Sequence, residues 1–309
     1  MTGANLPTLR AVSLLCVVAA CGGGAAEAPP STAADTSREV SAASGTARPP
    51  GDGLDSLEAL EQKLRSPTPK ELDLAAKGWG AALGRVLGSA QTLDGLEKLD
   101  VSDNDLGPDG ARGLLGSRHL GALSVLDLGG NEIGDQGASA LAESKLEQLT
   151  TLNLSGNGIS AVGAKALAKT RGFPALSSLD LSMNQIGVDG VKALGGAGFT
   201  KLTALFLLGS EIGPDGAKAL AKAGFKLKVL ALSGNSVGDE GTKALAASAK
   251  LASLSTLDLS ANGIGDAGAK ALAASPHLKG LSKLEMFANE LSATGKKALS
   301  TRFGDAVKL

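Results

Sequence analysis

Apolar positions recur along this chain as L-x-x-L-x-L followed three places later by asparagine, as in Leu176, Leu179, Leu181 and Asn184 of LSSLDLSMNQIG. The asparagine returns at Asn104, Asn131, Asn157, Asn184, Asn235, Asn262 and Asn289, with Ser210 in the one vacant slot, at intervals of 25 to 27 residues. Leucines two apart point to one side of an extended chain. Each L-x-L therefore predicts a short strand with its leucines inward and the residues between them on the opposite face. The second half of each unit reads G-A-x-A-L-A, as from Gly163 to Ala168 and from Gly268 to Ala273. It predicts a helix that returns its Ala and Leu to the same interior. At the bend between them, the asparagine amide is expected to bond backbone groups left unpaired where the strand ends, forming a ladder from unit to unit. Ser210 has a shorter arm and is expected to interrupt the ladder. Asp109, Asp135, Asp189, Asp215, Asp239 and Asp266 follow the bend by four or five residues and are expected to cap the helices, not to form calcium loops.

Units of this kind share a core only with their neighbours, so both ends need covers. Leu72, Leu74 and Trp79 hold the equivalent offsets 27 residues before the first full unit, with Lys77 in the asparagine slot, and read as a degenerate capping repeat. Leu54, Leu57, Leu60 and Leu64 lie at helical spacing, with Asp55 and Ser56 at the start and Pro67 soon after the end. Residues 53–95 are thus assigned to a capping helix and degenerate repeat, and 96–309 to the repeat domain, whose tail offers Phe303, Val307 and Leu309 to shield the last unit.

The pattern resembles the leucine-rich repeat, in particular the longer ribonuclease-inhibitor-like class with a strand and a helix per unit. Eight units, or nine with the degenerate one, cover roughly residues 69 to 299. The resemblance implies an α/β solenoid, a horseshoe or arc with parallel strands on its concave face and helices on its convex face, acting through protein contacts. The specific activities of ribonuclease inhibitor and of the GTPase-activating proteins of this class do not carry over, because the resemblance covers framework positions only.

The N-terminus calls for separate treatment. Arg10 precedes the apolar run Ala11 to Val18, too short to span a membrane and typical of an export signal, and Val18-Ala19-Ala20-Cys21 closes it. This resembles the lipobox of bacterial lipoproteins and implies that residues 1–20 are removed and Cys21 is lipidated. Cys16 would leave with the signal, so the exported domain would hold no disulfide. Residues 21–52 contain small residues, prolines and scattered charges, and read as a disordered tether. Gly22 lacks the aspartate that, by the same resemblance, retains lipoproteins at the inner membrane, so an outer-membrane anchor is expected.

Composition removes several functions. Net charge is −1 and aromatics are 2%, which argues against nucleic-acid binding and for packing through small side chains. The only histidines, His119 and His277, fall in helix-to-strand links without cysteine or tyrosine nearby, so neither a catalytic triad nor a zinc site is available and no cofactor is expected. Ser124 and the other serines have no base in view. The GGAG at 195 to 198 lacks the Lys-Ser/Thr of a phosphate-binding loop.

The outward strand residues carry what remains. Four places before the asparagine stand Asp100, Asp127, Asn153, Asp180, Phe206, Ala231, Asp258 and Glu285, an acidic row with one gap, while the helices carry cations such as Arg112, Lys165, Lys192, Lys218 and Lys243. A negative inner and a positive outer face are expected. In the gap, Ala204, Phe206 and Leu208 join Val229 and Ala231 as an apolar patch between Asp180 and Asp258, which reads as a binding site for a protein partner of the cell envelope or extracellular space. Two alternatives stay open: Ca²⁺ or glycan binding by the carboxylate row, with Asp100 and Asp127 the likeliest pair, and a hydrolase using two carboxylates. The latter has no nucleophile or oxyanion device, and an open face excludes water poorly.

Overall fold

The structure, a computed structural model, describes residues 54–66 and 69–309. The first helix is α1 (Leu57–Lys63). Nine strand–helix coils follow: β1 (Glu71–Asp73) and α2 (Gly80–Ser89), β2 (Lys98–Asp100) and α3 (Gly107–Leu115), β3 (Val125–Asp127) and α4 (Gly134–Glu143), β4 (Thr151–Asn153) and α5 (Ala161–Lys169), β5 (Ser178–Asp180) and α6 (Gly187–Gly195), β6 (Ala204–Phe206) and α7 (Gly213–Lys222), β7 (Val229–Ala231) and α8 (Gly238–Ala246), β8 (Thr256–Asp258) and α9 (Asp266–Ala273), and β9 (Lys283–Glu285) and α10 (Ala293–Phe303). A last strand, β10 (Val307–Lys308), ends the array.

All ten strands pair in sequence order, and pairing is parallel throughout. The register sets leucine beside leucine, as Leu152↔Leu179, Leu179↔Leu205 and Leu205↔Leu230. Each of these leucines is buried, and the flanking strand residues are half-buried on the other side. Helices pack about 8–10 Å apart and strands about 4.8 Å apart, so a coil with strands on one side and helices on the other curves with the strands inside.

Two hydrogen-bond ladders hold the coils in register. In the first, Asn157 Nδ2 donates to the carbonyls of Leu128 (2.9 Å) and Ser155 (3.1 Å), while its Oδ1 accepts from the N–H groups of Asn131 (3.1 Å) and Ile133 (3.4 Å). The other asparagines repeat this. Ser210 keeps only part of it: its Oγ donates to the carbonyls of Leu181 (3.1 Å) and Leu208 (3.3 Å), and its N–H reaches Asn235 Oδ1 at 2.9 Å. It accepts nothing from Asn184 or Ile186, where each regular coil supplies an amide oxygen to both N–H groups.

The second ladder runs along the opposite edge, where helix returns to strand. The N–H groups of Ser124, Thr150, Ser177, Thr203, Lys228, Ser255 and Ser282 each donate to the carbonyl seven places before the asparagine slot of the preceding coil, and the Ser/Thr hydroxyls double these bonds. The serines without a catalytic base thus have a structural task. Lys228 is the one member of this series that replaces the hydroxyl with a cation.

The aspartates do not cap their own helices. The N-cap residues Leu106, Ile133, Ile186, Ile212 and Val237 make no side-chain cap bond, and the aspartates sit inside the first turn. Their placement splits them. Asp135, Asp239 and Asp266, four after the asparagine, reach the next coil: Asp135 Oδ1 accepts from Ser160 and Gly163 N–H (both 2.8 Å), Asp239 Oδ1 from Gly265 (2.9 Å) and Gly268 (2.8 Å), and Asp266 Oδ1 from Ser292 (2.9 Å) and Gly295 (3.1 Å). Asp109, Asp189 and Asp215, five after the slot, instead meet cations on the helix face.

That one-residue difference governs the bend of the following coil. Where the carboxylate arrives, Ser160, Gly265 and Ser292 take negative φ values of −95°, −96° and −74°. Where it does not, the same slot is a glycine in the left-handed region, as Gly187 (φ 59°) and Gly213 (φ 58°), whose N–H turns forward to the carbonyl of Ser210 or Asn235.

At the front, Ser56 Oγ accepts from Ala59 N–H (3.2 Å), and Leu54, Leu60 and Leu64 are buried. At the rear, β10 pairs with β9 and buries Val307; Phe303 is partly buried, and Leu309, expected to shield the last coil, remains exposed.

Candidate functional site

On the strand face, parallel register places Asp180, Phe206, Ala231 and Asp258 side by side, and Ala204 beside Val229. Adjacent strands lie about 4.8 Å apart, so the five apolar residues named from sequence, Leu208 included, are contiguous. All are half-buried: four belong to strands β6 and β7 and Leu208 to the turn that follows β6, and part of each side chain meets solvent. The leucines between them, Leu205, Leu207 and Leu230, are buried.

Asp100, Asp127, Asp180 and Asp258 each accept through Oδ1 from the N–H two residues on, at 2.8–2.9 Å, closing the end of the strand, and Asn153 does the same for Ser155. The row is thus partly a framework device. Burial raises the carboxyl of Asp127 above its ordinary value, aided by the charges of Asp100 and Asp180 and opposed by the Gly129 and Asn153 donors. Asp180 is likewise raised by burial, against its bonds from Ser182. Phe206 cannot accept, and the orphan N–H of Leu208 goes to Ser182 Oγ of the preceding coil at 3.2 Å. At Phe206 the lost acceptor is therefore replaced by a substitute bond from the neighbouring coil.

Two more apolar side chains join this face. Met183 is 60% exposed and sits just before Asn184 in the left-handed region (φ 56°), where a non-glycine residue costs about 1–2 kcal/mol. Its N–H donates to the Leu208 carbonyl at 2.6 Å, and a Cβ on Gly209 would meet its sulfur at 3.1 Å, so it borders the patch. Phe287, 46% exposed, follows Glu285 on the last strand coil, two before Asn289. Reading strands alone misses Met183, since its position belongs to the bend; its signal is a large apolar residue where other coils use Gly, Ala or Asp.

The helix face is not uniformly positive, contrary to expectation. Arg112 meets Asp109 (3.1 Å), Lys165 meets Asp189 (3.5 Å), Lys218 meets Asp215 (2.9 Å) and Lys243 meets Glu240 (2.6 Å). Asp100 and Asp127 are register neighbours, but among the described residues no group of three or more His, Cys, Asp or Glu is placed to hold a metal ion. His119 Nδ1 lies 2.8 Å from Asp94 Oδ1, away from the strand face. Cys21, Cys16 and the 1–20 and 21–52 segments fall outside the described residues.

Residues 96–115, 123–142, 147–168, 175–195, 225–246 and 250–273 each match the Leucine Rich repeat family. The chain carries leucine-rich repeats, folded as an α/β solenoid. Among solved structures it is similar to an internalin (inlF) from Listeria monocytogenes, with 18% identity, covering 72% of this chain and 70% of that chain at a TM-score of 0.43. No curated protein matches it. Between 195 and 225 the family match skips a whole coil, and that coil bears Phe206, Leu208 and Ser210.

Proposed function

We propose that this protein is a non-enzymatic protein-binding module of the bacterial cell envelope, which recruits its partner through the strand face around Ala204, Phe206, Leu208, Val229 and Ala231, with Asp180 and Asp258 as the polar rim. Leucine-rich repeats in general mediate protein–protein contacts. The observation that carries the reading is the departure of one internal coil from an otherwise strict framework. Phe206 and Leu208 stand where most coils place an acidic or amide residue and Ser, and the exposed Met183 side chain lies beside them where other coils use Gly, Ala or Asp. Apolar surface inside a polar rim is characteristic of contact sites. A partner with an apolar knob among basic residues fits this surface, and Cys21 lipidation would hold the module at the membrane, with the outer membrane favoured by Gly22. The helix in every unit of 25–27 residues supports the ribonuclease-inhibitor-like class.

The test is Phe206→Asp with Leu208→Ser. Aspartate at 206 recreates the strand-end acceptor that Asp180 supplies to Ser182 N–H, so the fold is retained. Capture of partners from envelope extract should fall about tenfold or more, as for loss of a contact centre, with an unchanged melting transition. Equal capture overturns the site. Cys21→Ser should release the protein from the membrane fraction.

A further inference from the structure

Charge on this solenoid is separated between its two edges, a feature hidden by the net charge of −1. In every coil the strand runs into the helix at the asparagine edge, and the helix returns to the strand at the hydroxyl-ladder edge. After the first coil, whose bend holds Lys77, the bends of the asparagine edge, residues 101–107, 128–134, 154–160, 181–187, 207–213, 232–238, 259–265 and 286–292, contain no Lys or Arg, but hold Asp103, Asp105, Glu132, Glu211 and Glu290. On the other edge, the first three links hold Asp94, Glu97, Glu143 and Glu147 beside Arg118 and Lys145, but the five that follow, at 169–177, 195–203, 222–228, 247–255 and 274–282, hold eight Lys or Arg and no Asp or Glu. Arg171, Lys201, Lys226, Lys228, Lys250 and Lys279 are all exposed, and none has a carboxylate within ion-pair distance among the described residues.

We propose that this basic edge docks on an anionic lipid surface. The ladder from Ser177 through Thr203 and Lys228 to Ser255 and Ser282 stacks the links in one line, so the cations lie in a row along one edge of the coil. Seven of the eight are lysines, point charges on flexible stems, suited to a laterally continuous field of head groups; a discrete phosphate site would favour the arginine fork. A nucleic-acid strand is disfavoured because the aromatics of these links, Phe173, Phe199 and Phe225, are buried and leave nothing for bases to stack on. Each cation near an anionic leaflet contributes about 1 kcal/mol, roughly fivefold in binding, and the attraction decays within a Debye length. This contact is independent of the strand-face reading and leaves that face clear.

The experiment uses the full chain with Cys21→Ser, so that no acyl chain contributes, and measures binding to vesicles of phosphatidylglycerol and phosphatidylcholine against phosphatidylcholine alone. The edge variant carries Arg171→Glu, Lys201→Glu, Lys226→Glu and Lys250→Glu. A control of equal net charge carries Lys165→Glu, Lys192→Glu, Lys218→Glu and Lys243→Glu on the helices, and thermal melts establish that both fold. Binding should need phosphatidylglycerol, weaken with salt, and fall at least about tenfold further in the edge variant than in the control. Equal losses in the two variants, no preference for phosphatidylglycerol, or tighter binding to a single-stranded polynucleotide than to the vesicles would each overturn the proposal.

Discussion

Ser210 has the shape of a repair that was never completed. Its hydroxyl reaches the carbonyls of Leu181 and Leu208, yet the N–H groups of Asn184 and Ile186 lose the amide oxygen that Asn235 gives to Ser210 and Ile212. Restoring the amide should help. Ser210→Asn is expected to raise stability by about 1–2 kcal/mol, the scale of two recovered buried hydrogen bonds, read as a higher urea midpoint at unchanged slope. The aspartate row offers a second residue-scale outcome. Asp180 is raised by burial, so its ionised form is disfavoured in the folded state; that cost is present above its folded pKa and vanishes as pH falls below the ordinary aspartate value. Asp180→Asn keeps the Oδ1 acceptor, as Asn153 does naturally, and should raise the melting temperature at pH 7 but confer no advantage near pH 3. An advantage independent of pH would refute that assignment.

Between elements, the position of one aspartate selects the conformation of the next bend. Burial opposes ionisation of Asp135, but the Ser160 hydroxyl with the Ser160 and Gly163 N–H groups prevails and holds its carboxyl below the ordinary range. Its contribution is therefore complete above the unfolded pKa and is lost as pH falls through the folded one. Asp135→Ala should cost about 1 kcal/mol, as for a lost helix cap, whereas Asp215→Ala, whose carboxylate meets only Lys218, should leave the urea midpoint unchanged. Equal effects would show that the inter-coil bond has no special weight. This rule was legible, since G-D-x-G and G-P-D-G differ by one place, but treating the aspartates as one class conceals it. Which coil a carboxylate serves depends on packing between turns, and no single unit contains that information.

Across the whole molecule, periodicity revealed most of the architecture. L-x-L placed the inward leucines of the strands, and the offset of four placed Phe206 beside Asp180 and Ala231, because a parallel array in strict register turns sequence offsets into spatial columns. What periodicity left out is what depends on the edges: Met183 in a bend, the hydroxyl ladder, and ion pairs that neutralise the helix face. Composition misled for the same reason, since a chain near neutrality can still concentrate cations along part of one rim. If the strand face binds as proposed, capture should weaken as salt rises, because Asp180 and Asp258 border the contact.

The missing amide at Ser210 also bears on how the array would respond to force. A solenoid anchored at one end and pulled at the other loads its seams in series, and each seam holds by nearest-neighbour bonds alone. The seam between β5 and β6 is short of two of them, so separation would begin there, beneath Phe206 and Met183. A partner spanning that seam would act as a clamp on the weakest link of the spring.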